Sequence, residues 1–306
     1  MAVNSDKRVA NLNADKLDGK DSTDFQGTYA QVVVVAKSGG NFTSVQAALG
    51  SITDASAGKH YLVWVGPGTY NERVQMEPFV DIEGAGELAT RITASGGGGF
   101  GAGSSVVSGA SDAELRHPTV ENTGGNTDAI AIFKPSASPR LSNVTAIASE
   151  GTDANQGVVN AGSSPTMTDV TATADGGSFA RGIENSTSSP KMTNARVTIS
   201  GRSTENTGMY NYLHSSPTIW ESVISASGPA SHGVWSHFPD DTTSLVKIET
   251  SEVKGATGTV KIEGGYKVNV GASRLDGGAV SGSGSAVKCA GVYDENFAFS
   301  TGPTCP

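Results

Sequence analysis

The sequence predicts an all-β chain: a single-stranded right-handed parallel β-helix with a short N-terminal capping helix. Three observations carry this prediction. Glycine supplies 40 of 306 residues and charged residues only 17%, a balance that suits short strands joined by tight turns and does not suit a helical bundle. From residue 118 onward the chain repeats itself. The segments "AIFKPSASPRLSNV", "GVVNAGSSPTMTDV", "GIENSTSSPKMTNA" and "GMYNYLHSSPTIWES" align, with Pro139, Pro165, Pro190 and Pro217 at intervals of 26, 25 and 27 residues. Within each repeat apolar residues alternate with a period of two and no helical period appears. A unit of this size cannot bury its apolar side alone, so equivalent strands must stack. A β-propeller is the rival, but its blades run to about 40 residues. We read roughly nine coils, each rising by about 4.8 Å, the spacing between hydrogen-bonded strands.

The elements follow in order. Residues 1–28 form a polar, charge-mixed arm whose few apolar points, Leu12, Leu17 and Phe25, are too sparse for a core. The arm is expected to pack on the main domain or on a sister chain, as an attachment or trimer-forming segment. Residues 29–306 form the β-helix. Val32–Val35 is an all-apolar run, the pattern of a strand buried on both faces. Thr43 and Gln46 form a capping box, and Val45, Ala48, Leu49 and Ile52 share one helical face, which predicts a helix over about residues 43–52. Short strands follow in "HYLVWVG", "RVQM" and "VDIEGAG", punctuated by Pro67-Gly68 and Pro78. The glycine-rich stretch 96–103 has no following Lys-Ser/Thr and reads as a loop.

In the repeats two inward columns are expected. One is Ile132, Val158, Ile183, Met209 and Val234; the other is Leu141, Met167, Met192 and Ile219. "GVWSHFPDDTTSLVKIETSEV" is a fifth copy with a longer turn, and "YKVNVGASRLDG" a sixth. The two ends of a solenoid are open strand edges prone to aggregation. The helix is placed to plug the first. The tail, a cap over about residues 286–306, closes the other, with Cys289 and Cys305 joined as a disulfide.

The net charge of −9 argues against binding nucleic acid, which needs a basic face, and against simple attraction to an anionic polymer. A neutral glycan, or an anionic one held through a divalent-cation bridge, is compatible with it. No apolar run is long enough to span a membrane. "MAVNSDKRV" has no apolar core and is not a secretory signal. The expected location is therefore extracellular, on a cell surface or on a virus particle, reached by trimming of a signal or by lysis.

Residues 31–93 resemble the start of the pectin methylesterases: "AKSGGNFTSVQAALGSI", "YLVWVGPGTYNERV" and "VDIEGAGELATRIT" match that family's strand, capping helix and first coils in order. The resemblance implies the pectin-lyase-like right-handed β-helix. The family's Asp within "QDT", its second Asp within "DFIFG" and its Arg within "GRxW" are missing, and Gly201-Arg202 lacks the following Trp. The resemblance thus extends to architecture and not to the esterase mechanism, which needs both carboxylates. "NADKLDGKDSTDF" in the arm is similar to the "ADxLDGxxxxxF" segment of phage tail fibres and bacterial surface proteins. "NTDAI", Asn126 to Ile130, resembles the "NTDG" of polygalacturonases, but Ser231-His232-Gly233 and Asp240-Asp241 come in the wrong order, so Asn126 reads as a turn residue.

No G-x-S-x-G elbow and no H-E-x-x-H or cysteine-pair metal motif occurs. The candidate site is instead a surface column. Strand side chains alternate, so Phe133, Val159, Glu184, Tyr210 and Trp235, each one residue after the inward column, are expected to face outward, with Tyr212, His214 and His237 nearby. Such an aromatic, polar strip suits stacking on sugar rings or contact with a partner protein, such as a surface receptor. Asp240 and Asp241 in the lengthened turn are able to assist a sugar or bind calcium, though solvated turn acids are the preferred reading and no cofactor is expected. The first expectation is a non-catalytic binding or structural module of a fibre or cell surface. The second is a polysaccharide-active esterase, lyase or hydrolase, for which Asp153, Glu184, Glu205, Asp240 and Asp241 are the available carboxylates.

Overall fold

A computed structural model of the chain describes residues 29–96, 98–201, 204–238, 243–282, 286–300 and 304–306, together with the backbone of Lys16–Leu17 and Lys20–Asp21. Those two short strands pair antiparallel. The rest of the arm, and with it the expected attachment or trimer-forming role, lies outside the described residues.

Residues beyond the arm coil into a right-handed parallel β-helix of about nine turns. One face is an eight-stranded sheet running from Val74–Gln75 to Gly258–Gly264, and a 19-stranded sheet wraps the other two faces. Six strands of the eight-stranded sheet matter below: β1 Asp128–Pro135, β2 Ala154–Ala161, β3 Phe179–Ser186, β4 Glu205–Tyr212, β5 Ser231–Phe238 and β6 Gly258–Gly264. Each pairs in parallel with the next, so a column in the repeat becomes a column in space. Ile132, Val158, Ile183, Met209, Val234 and Val260 are register partners along the rod. Leu141, Met167, Met192, Ile219 and Ile248 form the facing column. Both lie in one continuous core, where full burial stabilises each large aliphatic side chain by about 1.5–3 kcal/mol relative to exposure.

Glycine sets how closely the sheets approach. A methyl group on Gly182 would sit 2.1 Å from Val197 Cγ1, on Gly208 2.5 Å from Ile224 Cγ2, and on Gly233 2.5 Å from Val253 Cγ1. This explains the glycine that precedes the inward apolar residue in "RGIE", "TGMY" and "HGVW". Corners of the coil use left-handed backbone. Asn143, Asp169 and Asn194 have φ of 52°, 53° and 52°, a conformation in which short polar side chains are the best tolerated after glycine.

The Ser-Pro signature is a hydrogen-bond ladder. Ser164 N donates to Ser138 Oγ (2.9 Å), Ser189 N to Ser164 Oγ (3.1 Å), Ser216 N to Ser189 Oγ (3.3 Å) and Leu245 N to Ser216 Oγ (3.0 Å). Each turn N–H is thus satisfied by the hydroxyl of a neighbouring coil while proline holds the bend. A second ladder is internal. Asn160 Nδ2 donates to Asn185 Oδ1 (2.7 Å), Asn185 Nδ2 to Asn211 Oδ1 (2.8 Å) and Asn211 Nδ2 to Ser236 Oγ (3.1 Å). Lys134 is the register partner of Asn160 at the head of this column. It is fully buried, and its Nζ donates to Met167 Sδ across the core at 3.3 Å. Burial drives its pKa well below the ordinary lysine value.

Both ends of the rod differ in detail from expectation. The helix, α1, spans Val45–Gly50 and its N-cap is Ser44, whose Oγ accepts from Ala47 N at 3.1 Å. Gln46 does not complete a capping box; Glu72 from the next coil takes that role, accepting from Val45 N (2.8 Å) and Gln46 N (2.9 Å). A carboxylate brought in by tertiary structure satisfies these free N–H groups better than a neutral amide. Val45, Ala48 and Leu49 of α1 join the core beside Val33 and Val35. Val32 is exposed, however, so the Val32–Val35 run is covered on one face only. At the far end Cys289 lies beneath Val270 in register and forms a disulfide with Cys305, tying the tail across the last coil.

Candidate functional site

The outward column of β1–β6 is not an exposed strip. Phe133, Val159, Glu184 and Tyr210 are only 7%, 0%, 6% and 8% exposed, while Trp235 is half-buried. The alternation argument places them outside the core, and they are outside it; long neighbours then cover them. At β1 and β2, Ile130, Phe133 and Val159 form a separate apolar cluster. The Phe100 ring from the glycine-rich loop packs edge-on against Phe133, 5.7 Å between centroids. Ser104 Oγ donates to the carbonyls of Gly98 and Gly99 and holds that loop folded.

From β3 onward the cover is charged and aromatic. Arg181 of β3 is the organiser. Its Nη1 lies 2.8 Å from Glu184 Oε2 and its Nη2 3.2 Å from Glu205 Oε1. The guanidinium sits 3.9 Å from the centroid of the Tyr210 ring. Gln156 Nε2 also donates to Glu184. Arg181 therefore ties two adjacent coils together, and Glu184 extends the network to a third through Gln156. Burial by itself would lower the Arg181 pKa, but Glu184, Glu205 and Tyr210 outweigh it and raise it. Burial pushes the Tyr210 phenol up to about 12, only partly opposed by Arg181.

A second node lies on β5 and β6. Trp235 Nε1 donates to Glu263 Oε2 at 3.1 Å, and Lys261 Nζ reaches Glu263 Oε1 at 3.1 Å while lying 3.8 Å from the Trp235 ring centroid. His237 Nδ1 is 2.9 Å from Glu263 Oε2, an ion-pair contact once the ring is protonated. Burial would raise the Glu263 pKa, but Lys261 and Trp235 hold it below the usual carboxylate value. His232, packed against Trp235, is lowered by burial and then by Lys261. Aromatic rings bridge the two nodes. Tyr210 meets Trp235 edge-on at 5.4 Å; Tyr212 stands nearly parallel to Tyr210 and to His237, 6.2 and 6.3 Å away; Phe238 contacts Tyr212 and His214 edge-on. Tyr212 is 36% exposed, and His214 beside it is exposed as well.

The structure thus gathers Glu184, Tyr210, Tyr212, Trp235 and His237 into one ridge and leaves Phe133 under the Phe100 loop. Asp240 and Asp241 lie outside the described residues, as does Arg202. Asn126 occupies a turn, its carbonyl accepting from Thr152 N at 2.9 Å. Sequence reasoning missed Gln156, Arg181, Lys261 and Glu263. The signal for all four was in the register: Arg181 aligns with Gln156, Lys261 with Trp235 and Glu263 with His237. Among the described residues no cluster of three or more His, Cys, Asp or Glu could hold a metal ion, and no helix is long and apolar enough to cross a membrane.

Comparison with solved structures bears on the whole rod. The pectin methylesterase PemA from Erwinia chrysanthemi superimposes with a TM-score of 0.57 at 14% identity, over 91% of this chain and 99% of that one. A pectin methylesterase in complex with a hexasaccharide gives 0.59 at 13% identity, over 91% and 93%. The enzyme from Yersinia enterocolitica gives 0.56 at 14%, over 87% and 94%. The fold is that of the pectin methylesterases. At such identities the likeness establishes architecture and no more. No family model and no curated protein sequence matches the chain.

Proposed function

We propose that the protein is a rigid glycan-binding rod of an extracellular fibre or cell surface, with the Tyr210–Tyr212–Trp235–His237 ridge as its ligand face. The observation that carries this reading is the continuity of the ridge: aromatic rings on two adjacent coils, flanked by carboxylates and cations, along one side of a stiff rod. Rings of this kind take the apolar faces of sugars while polar neighbours take their hydroxyls. The ridge runs from coil to coil along the rod, which suits an extended chain. That one of the structural neighbours was captured with a hexasaccharide supports the choice of ligand class.

The binding is without turnover in this reading. Glu184 and Glu205 both engage Arg181, and Glu263 engages Lys261 and Trp235. Each of these carboxylates is engaged with a cation of the ridge, and this reading gives none of them a catalytic role. The test is a glycan array probed with the full chain, alongside assays for methanol, unsaturated product and reducing-end release from the polymers that bind. Retention on one glycan class, lost in Tyr212→Ala, with no product formed, is the expected result. Product release would establish an enzyme instead, and the absence of retention on every glycan would remove the binding reading.

A further inference from the structure

We infer that the ligand is an uncharged, hydroxyl-rich glycan laid along the rod axis, and that the ridge discriminates against polyuronates. The inference rests on the glycan-binding reading above and adds the ligand's charge and direction. Its first support is an unfilled row. Gln156, Arg181 and Thr207 are register partners on β2, β3 and β4. Gln156 Oε1, Arg181 Nε and Thr207 Oγ1 are all buried without a hydrogen-bond partner. Gln156 and Thr207 are 1% and 0% exposed, so their unmet polar atoms carry a desolvation cost. The row offers an acceptor, an N–H donor and a hydroxyl on successive coils, about 4.8 Å apart. Sugar hydroxyls, which both donate and accept, satisfy every member of such a mixed row, whereas an ionised carboxylate has no hydrogen to donate to Gln156 Oε1. Glu184 bonds Gln156 and the Tyr210 ring packs on Arg181, so in this inference the ligand takes the row by displacing these two side chains.

The second support is charge. Both cations of the ridge are already matched. Arg181 is held by Glu184 and Glu205, and Lys261 by Glu263 and by the face of Trp235. The ridge therefore carries more carboxylates than cations, in a chain of net charge −9. A polyuronate would have to displace internal partners to find a counter-charge, and would meet Glu184, Glu205 and Glu263 first. The fold shared with pectin methylesterases thus does not bring a surface suited to demethylated pectin.

A matched pair of polymers tests this directly: highly methyl-esterified homogalacturonan and its saponified product, beside neutral glucans, mannans and galactans, each measured by affinity electrophoresis at low and high salt. We expect at least one uncharged polymer to bind about tenfold or more tighter than the saponified one, with the gap narrowing as salt screens the repulsion. Thr207→Val should weaken that binding several-fold while leaving the thermal midpoint unchanged or higher, since an unmet hydroxyl is removed. A preference for the saponified polymer would overturn the inference and leave the glycan-binding reading standing. Unchanged binding by Thr207→Val would remove the axial row. If no polymer binds in any form, the glycan-binding reading falls and this inference with it.

Discussion

Val234 and Trp235 are neighbours in sequence and stand on opposite sides of the same sheet. The column through Val234 contains Ile, Val and Met alone; the column through Trp235 runs Phe, Val, Glu, Tyr, Trp and Lys. Backbone and pairing are identical, so the difference lies in what each side must satisfy. Inside, a side chain meets the facing sheet at fixed distance and must be of the right size, apolar as in this column or hydrogen-bonded from coil to coil as in the Asn160–Asn185–Asn211 ladder. Outside, each position is free of that demand, and the molecule spends the freedom in two ways. Near the N-terminal end it roofs an apolar patch with Phe100; further along it builds the Arg181 and Glu263 nodes. An outward side chain on a β-helix is therefore a candidate for function without being an exposed one.

Four substitutions test how far the two sides differ. Met209→Ala empties a wholly buried site between closely packed sheets and should cost about 2–5 kcal/mol in urea unfolding, with ligand binding at the folded ridge retained. Arg181→Leu strikes the outer side where it is most inward in character. It leaves Glu184 and Glu205 without their shared cation and should cost about 2–3 kcal/mol, less than a fully buried pair because the site keeps some solvent. A smaller loss than for an exposed alanine scan control would show the node to be solvated and would blur the comparison.

Lys134→Met reverses the logic, because here the inner side contains a residue of outer character. We expect a gain of about 1–3 kcal/mol at neutral pH, the cost of a buried polar group removed. The pH dependence sharpens this. The unfolded lysine titrates at 10.5 and the folded one well below it, so between those values the unfolded state binds the extra proton. Native stability therefore rises with pH through that window in the parent chain. The variant should lose that slope, and a slope unchanged in Lys134→Met would mean that Lys134 is charged in the fold. Tyr212→Ala is the smallest in stability, within about 0.5 kcal/mol, and should nevertheless abolish glycan retention; an equal loss of stability and binding would return Tyr212 to the class of packing residues.

The fold was legible in the sequence because repetition does the work of an alignment. Prolines at near-equal intervals fixed the coil, and Ile132 through Val234 then fell into a column by counting. The cap helix and the disulfide were also readable, although Glu72 as the capping partner was not, since it arrives from another coil. The site was read in part. Alternation places Glu184 and Tyr210 outside the core, and the structure agrees; it cannot say that Arg181, three residues before Glu184, curls over both. Covering depends on side-chain length and on charge pairing between coils, and neither is periodic. For the same reason Lys134 went unnoticed: nothing in "AIFKPSASP" distinguishes a lysine that reaches across the core from one in water.

The ladders of Ser138–Ser164–Ser189–Ser216 and of Asn160–Asn185–Asn211 have one further consequence. In each, the side chain of one coil meets a partner in the next by an identical bond. A coil is thus interchangeable with its neighbour, and duplication or deletion of one whole Ser-Pro unit leaves every remaining bond with a partner. Rod length is in this sense a quantity that a gene can alter in single steps, so that the distance of the ridge from either end of the rod is open to selection while the ridge itself stays as it is.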